Sequence, residues 1–323
     1  MLQKLPMCLL LATLVAAVVF APRESHAADG KKKVVFVAGR PSHGYASHEH
    51  YAGCLLLAKA LEASVPGFDC VVVRDGYPKD ASVFDGCDAV VFFADGGGGH
   101  PAMQHLKEID ALAEKGVGIA CLHYGVEVPQ GEAGDHFLKW IGGYFETNWS
   151  VNPHWTAKFA ALPAHPVTRG VEPFEADDEW YYHMRFRPNM EGVTPLLSTL
   201  PGPETLTRPD GAHSNNPHVR AAVLERKEPQ HLAWVSERAG GQRGFGFTGG
   251  HWHWNWGNPS FRKLVLNAIV WVAKGDVPEK GVCDKAPTLE DLEKNQDYEP
   301  PKNFDREAVR KKFNLVGRDS DKG

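Results

Sequence analysis

The chain has 323 residues, of which 43% are hydrophobic and 23% charged. Both fractions are typical of globular proteins and exclude disordered, collagen-like and coiled-coil chains. Lysine and arginine number 35 against 40 aspartates and glutamates, so the net charge of −5 disfavours binding to nucleic-acid phosphates. Six cysteines without close pairs predict neither a disulfide framework nor a thiolate metal site. The sixteen histidines, many beside glycine or aromatic residues, are better candidates for chemistry.

The first 27 residues have the pattern of a secretory signal peptide. Lys4 precedes an apolar run from Met7 to Phe20, and Ser25-His26-Ala27 fits a small-residue cleavage site. The alternative, a membrane anchor, requires an apolar run of about 20 residues, which is longer than this one. We therefore expect an exported protein, periplasmic or secreted, that begins near residue 28 and has no membrane segment after cleavage.

Apolar strand patterns alternate with helical patterns over the first half of the mature chain. Strands are predicted at 33–38, 70–73, 88–93 and 118–122. Helices are predicted from residue 48 to the stop at Pro66 and Gly67, and over 101–114. This alternation predicts an α/β fold with a flavodoxin-like, doubly wound parallel sheet, whose ligand site lies at the carboxyl ends of the strands.

The periodicity weakens over about 142–230, where Pro, Asn, Trp and His become frequent. We interpret this stretch as an inserted region of loops and short strands over one end of the sheet. Strands at 231–236 and 244–248 and a helix over 259–273 then complete the predicted domain.

The last part of the chain is rich in proline and charge, and we expect it to be peripheral. Short helices are predicted there over 289–295 and 306–313. The predicted organisation is a signal peptide over 1–27, an α/β domain over 28–277 and a C-terminal tail over 278–323.

Histidines follow three of the predicted strands. His123 lies in a glycine-bounded turn after the fourth strand, at the position of the nucleophile in a strand-turn-helix elbow. Imidazole suits a metal ligand or general base better than an acyl acceptor. His251 ends the strand before a tryptophan-rich loop, and we favour it over His253 for direct contact with a ligand. His48 begins the helix after the first strand.

Two acidic motifs accompany these histidines. Asp177-Asp178-Glu179 runs into aromatic residues within the insertion, where crowded carboxylates can serve as a general acid or base. Asp95 precedes a run of four glycines, whose backbone amides can hold an anion or a polarised oxygen. An acidic surface turn is the alternative for the first motif, and the second lacks the GxGxxG fingerprint of dinucleotide binding.

These motifs, in this order, resemble the ThuA-like (trehalose utilisation) family of the class I glutamine amidotransferase-like superfamily. The resemblance covers about 33–277. Its most specific parts are Leu122-His123-Tyr124-Gly125, Asp178-Glu179-Trp180-Tyr181 and Gly249-Gly250-His251. Glutamine amidotransferases have a cysteine at the position of His123 and a glutamate at that of His253. The resemblance therefore implies that this chain is not a glutaminase.

Imidazole in place of the thiol favours a metal site over a catalytic triad. We expect His48, His123 and His251 to bind a divalent cation, most suitably zinc, with an open coordination position. Glu179 and His253 are the predicted catalytic residues, with Glu179 either the general acid/base or a fourth ligand. The predicted substrate-binding residues are His43, Asp95, Tyr124, Tyr181, Trp252 and Trp254.

The resemblance implies carbohydrate catabolism, with a small-molecule glycoside or keto-sugar as the partner. A ketone acidifies the neighbouring C–H, so a metal and a base can promote hydrolysis or elimination without two opposed carboxylates. Asp178 and Glu179, being adjacent, are a poor match to the usual glycosidase pair. A non-catalytic carbohydrate-binding protein is the alternative, and a subunit of an oxidoreductase assembly is a third. The sequence leaves homo-oligomerisation open.

Overall fold

The computed structural model describes Met1 and residues 30–315. The predicted signal peptide, apart from Met1, therefore lies outside the described residues. The described strands are β1 (Lys32–Ala38), β2 (Phe68–Val73), β3 (Ala89–Phe93), β4 (Gly118–Leu122), β5 (Gly143–Tyr144), β6 (His154–Phe159), β7 (Phe174–Glu179), β8 (Arg185–Phe186), β9 (Val193–Thr199), β10 (Gln230–Glu237) and β11 (Arg243–Phe247). The described α-helices are α1 (His50–Ser64), α2 (Leu106–Glu114), α3 (Glu132–Trp140), α4 (Pro217–Arg220), α5 (Pro259–Val272), α6 (Leu289–Glu293) and α7 (Arg306–Lys312).

A seven-stranded sheet forms the centre of the fold, in the order β2-β1-β3-β4-β11-β10-β9. The first five strands are parallel, and β10 and β9 extend the sheet in antiparallel pairing. This arrangement confirms the predicted flavodoxin-like α/β class. It also places the carboxyl ends of β1, β3, β4 and β11 side by side at one edge, where ligands bind in such sheets.

Helices cover both faces of the sheet, because its strands are apolar on both sides. Phe36 of β1 belongs to the core shared with α1 and α5, whereas its neighbour Val37 packs in the core that includes α2 and α3. The sequence analysis did not predict α3, although Phe137 and Trp140 have the helical spacing that buries one face.

The inserted region contains two small antiparallel sheets, one of β5 and β8 and one of β6 and β7. Its last strand, β9, differs from the prediction because it joins the central sheet as an edge strand. No helix in the part of the chain that the structure describes combines the length and apolarity needed to cross a bilayer.

The tail packs against the α/β domain, so the expectation of a peripheral tail is wrong for its described part. Leu289 and Leu292 are fully buried. The Gln296 side chain accepts a hydrogen bond from the Ala46 amide. One carboxylate, Glu49, accepts bonds from the amides of both Ala46 and Asp297. The tail therefore supports the loop between β1 and α1.

A buried ion pair joins the tail to α5. Arg262 and Asp284 have side chains only 2% and 5% exposed, and Arg262 also donates to the Trp256 carbonyl. We expect Asp284→Ala to lower the free energy of unfolding by about 3–5 kcal/mol, because it leaves a buried guanidinium unpaired. Urea denaturation measures this value. Glu175→Ala, which breaks an exposed ion pair with a lysine, should cost under about 1 kcal/mol, and equal losses would contradict the prediction.

Candidate metal centre

Three histidines from separate loops meet at the carboxyl edge of the sheet. His48 precedes α1, His123 follows β4 and His251 follows β11, and all three are buried. Nε2 of His48 lies 3.0 Å from Nδ1 of His251 and 3.1 Å from Nε2 of His123. The strand order explains this convergence, because it brings the ends of β4 and β11 together beside β1 and β3.

Glu179, at the end of β7, completes the cluster. Its Oε2 lies 3.2 Å from Nδ1 of His251 and 3.6 Å from Nε2 of His123. The four ligand atoms, including Nε2 of His48, all lie within 4.8 Å of one another. Ligands at about 2.0–2.2 Å from a tetrahedral ion are about 3.3 Å apart. The observed separations are therefore close to those around one cation.

Hydrogen bonds outside the cluster fix the tautomers of two imidazoles. Nδ1 of His123 lies 2.9 Å from the Thr248 carbonyl oxygen, and Nδ1 of His48 lies 2.8 Å from a carboxylate oxygen of Asp95. Both partners only accept hydrogen bonds, so each Nδ1 carries a proton, and Nε2 presents a lone pair when the ring is neutral. Lone pairs 3.1 Å apart repel one another unless a positive charge lies between them.

The backbone holds two of these histidines in strained conformations. His48 and His123 have φ angles of 52° and 51°, in the left-handed region. Each such residue costs about 1–3 kcal/mol when it is not glycine, and such strain occurs mostly at functional sites. Packing of the surrounding sheet must offset this cost in order to keep both rings turned into the cluster.

Asp178 holds the loop that carries His251. Its buried carboxylate accepts hydrogen bonds from the amides of Gly250, at 2.7 Å, and Trp252, at 3.2 Å, as well as from Glu179. Gly250 has a φ of 114°, a backbone conformation that residues other than glycine rarely adopt. Successive side chains of β7 point to opposite faces of the strand, so the adjacent Asp178 and Glu179 point in different directions. Asp178 positions the loop, and Glu179 faces the histidines.

Burial and neighbouring charges set the protonation of the cluster. Burial lowers the pKa of His48 to about 2, so this ring is neutral. Burial would raise the pKa of Asp95, but the hydrogen bond with His48 and the nearby His50 ring outweigh it and hold the value at about 2. The pKa of Glu179 is also lowered despite its burial, by its close contacts with the His123 and His251 rings. Both carboxylates are therefore anionic at neutral pH.

Two of the predicted substrate-binding residues contact the cluster directly. The Tyr181 hydroxyl lies 3.2 Å from Nε2 of His123 and donates to Oε2 of Glu179 at 3.3 Å. Burial raises the pKa of Tyr181 well above its usual value, so the hydroxyl keeps its proton. Asp95 bonds to His48 instead of facing a substrate directly, and it orients that ring.

Three other predicted residues surround the opening of the cluster. His43 is exposed and stacks on His48, with ring centroids 3.5 Å apart. Tyr124 is partly exposed, and its ring lies 5.9 Å from that of His48. Trp252 is half-buried beside His251 at 4.6 Å. A ligand at the cluster would meet these three side chains first.

The structure does not bring Trp254 or His253 to the cluster. Trp254 is buried between Tyr45 and Phe304, so it cannot stack on a ligand. His253 is buried, and its amide donates to the Ala46 carbonyl. The chain forms a tight 3-10 turn here, so the alternation of an extended strand does not continue. We assign neither residue a role in binding or catalysis.

Two residues of the insertion join the site without having been predicted. The Asn152 side chain donates to Oε1 of Glu179 at 3.1 Å. The exposed His154 ring lies 4.8 Å from that of His251, and its Nε2 is 3.8 Å from the same Oε1. Their only signal in the sequence is a stretch of Asn, His and Trp without periodicity. Only the fold shows that this stretch covers the cluster.

Comparison with known proteins supports the same fold. A family model described as ThuA, trehalose utilisation, matches residues 33–272. A ThuA-like protein from Bacteroides uniformis ATCC 8492 has a similar structure, with a TM-score of 0.52, 16% identity, and coverage of 78% of this chain and 98% of its own. For another ThuA-like protein, from Parabacteroides merdae ATCC 43184, the TM-score is 0.47 and the sequence identity 15%. That comparison covers 81% of this chain and 99% of the other chain. A comparison with curated proteins gives no significant match. The first of these likenesses, at 16% identity, shows the fold alone.

The buried ring of His253 should make stability depend on pH. Burial lowers its pKa from 6.5 to about 3, so between these values only the unfolded chain takes up the proton. Stability therefore falls as the pH falls. We expect His253→Gln to reduce the slope of unfolding free energy against pH, between pH 6 and 4, by about 1.4 kcal/mol per unit. Urea denaturation of the metal-free protein across this range tests it, and an unchanged slope would contradict it.

Proposed function

Because the chain belongs to the ThuA (trehalose utilisation) family, we propose that it is a metal-dependent enzyme acting on a glycoside or keto-sugar. The observation that carries the proposal is the 3.1 Å approach of Nε2 of His48 to Nε2 of His123. With Nδ1 of His251 and the Glu179 carboxylate, they form a compact set of nitrogen and oxygen donors. Such a set suits zinc or a similar divalent cation.

A divalent cation held by these side chains supplies Lewis-acid polarisation of a substrate oxygen. Glu179 is anionic and can take a proton from a substrate C–H or from water, or else act as a fourth ligand through Oε2. Asn152 holds the other oxygen, Oε1, and so restricts rotation of the carboxylate. The Tyr181 hydroxyl keeps its proton and can donate to an oxygen that develops negative charge.

The surroundings of the cluster support a carbohydrate as the substrate. His43, Tyr124 and His154 offer polar atoms at the opening, and Trp252 offers part of an indole face. Sugars combine hydroxyls with an apolar C–H face, so they match such a mixed surface. A non-catalytic carbohydrate-binding protein would use the predicted contacts of Trp252 and Trp254 with the sugar. This alternative loses support because Trp254 is buried.

The first test is metal dependence. We expect the purified chain to bind one divalent cation and to turn over 3-keto-disaccharides only when loaded. His123→Asn should abolish both, because asparagine tolerates the left-handed backbone at this position but lacks the imidazole ligand. Elemental analysis, calorimetry with Zn²⁺ or Co²⁺ and product analysis measure these outcomes.

His253→Gln is the matched control, since it removes a buried histidine outside the cluster. It should keep both metal and turnover. Full activity after chelation would contradict the proposed function, as would unchanged metal affinity in His123→Asn.

Asp95 should tune metal affinity through His48. Asp95→Asn replaces a charged acceptor with a neutral one and weakens the control of the His48 tautomer. Loss of such a supporting hydrogen bond typically costs about 10–100-fold in metal affinity. Competition with a chromophoric chelator measures this loss. An affinity equal to that of the wild type would show that the carboxylate does not act on the ligand ring.

A further inference from the structure

A second carboxylate–histidine pair lies near the metal centre and has no role in the proposal above. Glu127 follows the turn that carries His123, and its side chain is only 4% exposed. Its Oε1 lies 2.8 Å from Nε2 of His213, which belongs to the loop between β9 and α4. The His213 side chain is 36% exposed. The carboxylate is thus buried behind an imidazole that solvent reaches.

A series of aromatic ring contacts links the pair to the metal centre. The ring of His213 stacks on Phe145 at 5.3 Å, Phe145 contacts Tyr181 at 5.3 Å, and Tyr181 contacts His123 at 4.7 Å. A Cβ atom placed on Gly97 would lie 3.8 Å from both Glu127 Oε1 and the Tyr124 hydroxyl. Glu127 Oε1 and the Tyr124 hydroxyl therefore both border the space beside Gly97, and the Tyr124 ring lies 5.9 Å from that of His48.

Backbone contacts already anchor the loop that carries His213. The Ala212 carbonyl accepts a bond from the Asn148 amide, and the His213 carbonyl accepts from the Asn152 amide. The Arg208 side chain also donates to the His213 carbonyl. These contacts hold the loop in place without help from the Glu127–His213 pair. Burying a carboxylate is costly, so the pair is a poor explanation for loop stability alone.

The arrangement matches that of a histidine held ready for proton transfer. Glu127 binds Nε2, and among the described residues Nδ1 has no hydrogen-bond partner. The hydrogen bond to Glu127 raises the pKa of His213, partial burial opposes it, and the charge of Glu179 adds to the rise while Arg208 reduces it. A carboxylate behind one nitrogen orients the ring and favours its protonated form, which leaves the other nitrogen free to donate.

We propose that His213 is the general acid that protonates the leaving oxygen of the substrate, and that Glu127 is its positioning residue. This inference rests on the proposed function. In elimination from a 3-keto glycoside, a base removes the proton beside the ketone and the glycosidic C–O bond breaks. The C–O electron pair stays on the leaving oxygen, which takes the proton from Nδ1 of His213. Solvent then returns a proton to the ring, so no oxidant or reductant is needed.

Leaving-group dependence tests the assignment. The probes are the methyl and 4-nitrophenyl 3-keto-glucosides, because methoxide requires protonation to leave whereas nitrophenolate does not. With the metal-loaded full chain, His213→Asn should lower kcat for the methyl glycoside by about 100-fold and for the nitrophenyl glycoside by under about fivefold. Metal affinity should not change.

Controls separate this inference from the proposed function. The control variant is His105→Asn. His105 also pairs with a glutamate, Glu108, but its ring stacks on Tyr77, away from the cluster. This variant should leave the turnover of both glycosides unchanged. Glu127→Gln should shift the high-pH fall in methyl-glycoside turnover to lower pH. Equal losses on both glycosides, or loss of metal in His213→Asn, would overturn the inference alone. If the wild type turns over neither glycoside, both the inference and the proposed function fail.

Discussion

The site depends on one electrostatic constraint, which is the direction of two imidazole lone pairs. Asp95 and the Thr248 carbonyl each accept a hydrogen bond from the outer nitrogen of a buried histidine, so the inner nitrogens of both rings point at the same place. A buried arrangement of this kind is unfavourable on its own and becomes favourable around a cation. The sheet topology, the strained backbone and the loop held by Asp178 all serve to maintain it.

The strand order of the central sheet brings the residues of the cluster together. β1, β3, β4 and β11 end side by side, so four separate loops contribute His48, Asp95, His123 and His251. The insertion then adds Glu179 from the opposite side, through a strand that is not part of the central sheet. Metal ligation would therefore join the sheet to the insertion.

The sequence predicted the sheet and the histidine convergence because both follow strict rules. Parallel strands are short apolar runs, and their carboxyl ends meet at one edge. The prediction for His253 failed because two-residue alternation holds for strands, whereas the chain turns sharply after His251. Asn152 and His213 could not be found in this way, since the insertion has no periodicity and its contacts join positions far apart in the chain.

The tail that supports the loop before α1 affects how this protein can be divided. The family match stops at residue 272, yet the buried partner of Arg262 and the amide bonded to Glu49 both lie beyond it. A boundary drawn where family likeness ends would thus cut through a single folding unit. Expression clones and evolutionary comparisons of such chains are better delimited by burial than by homology.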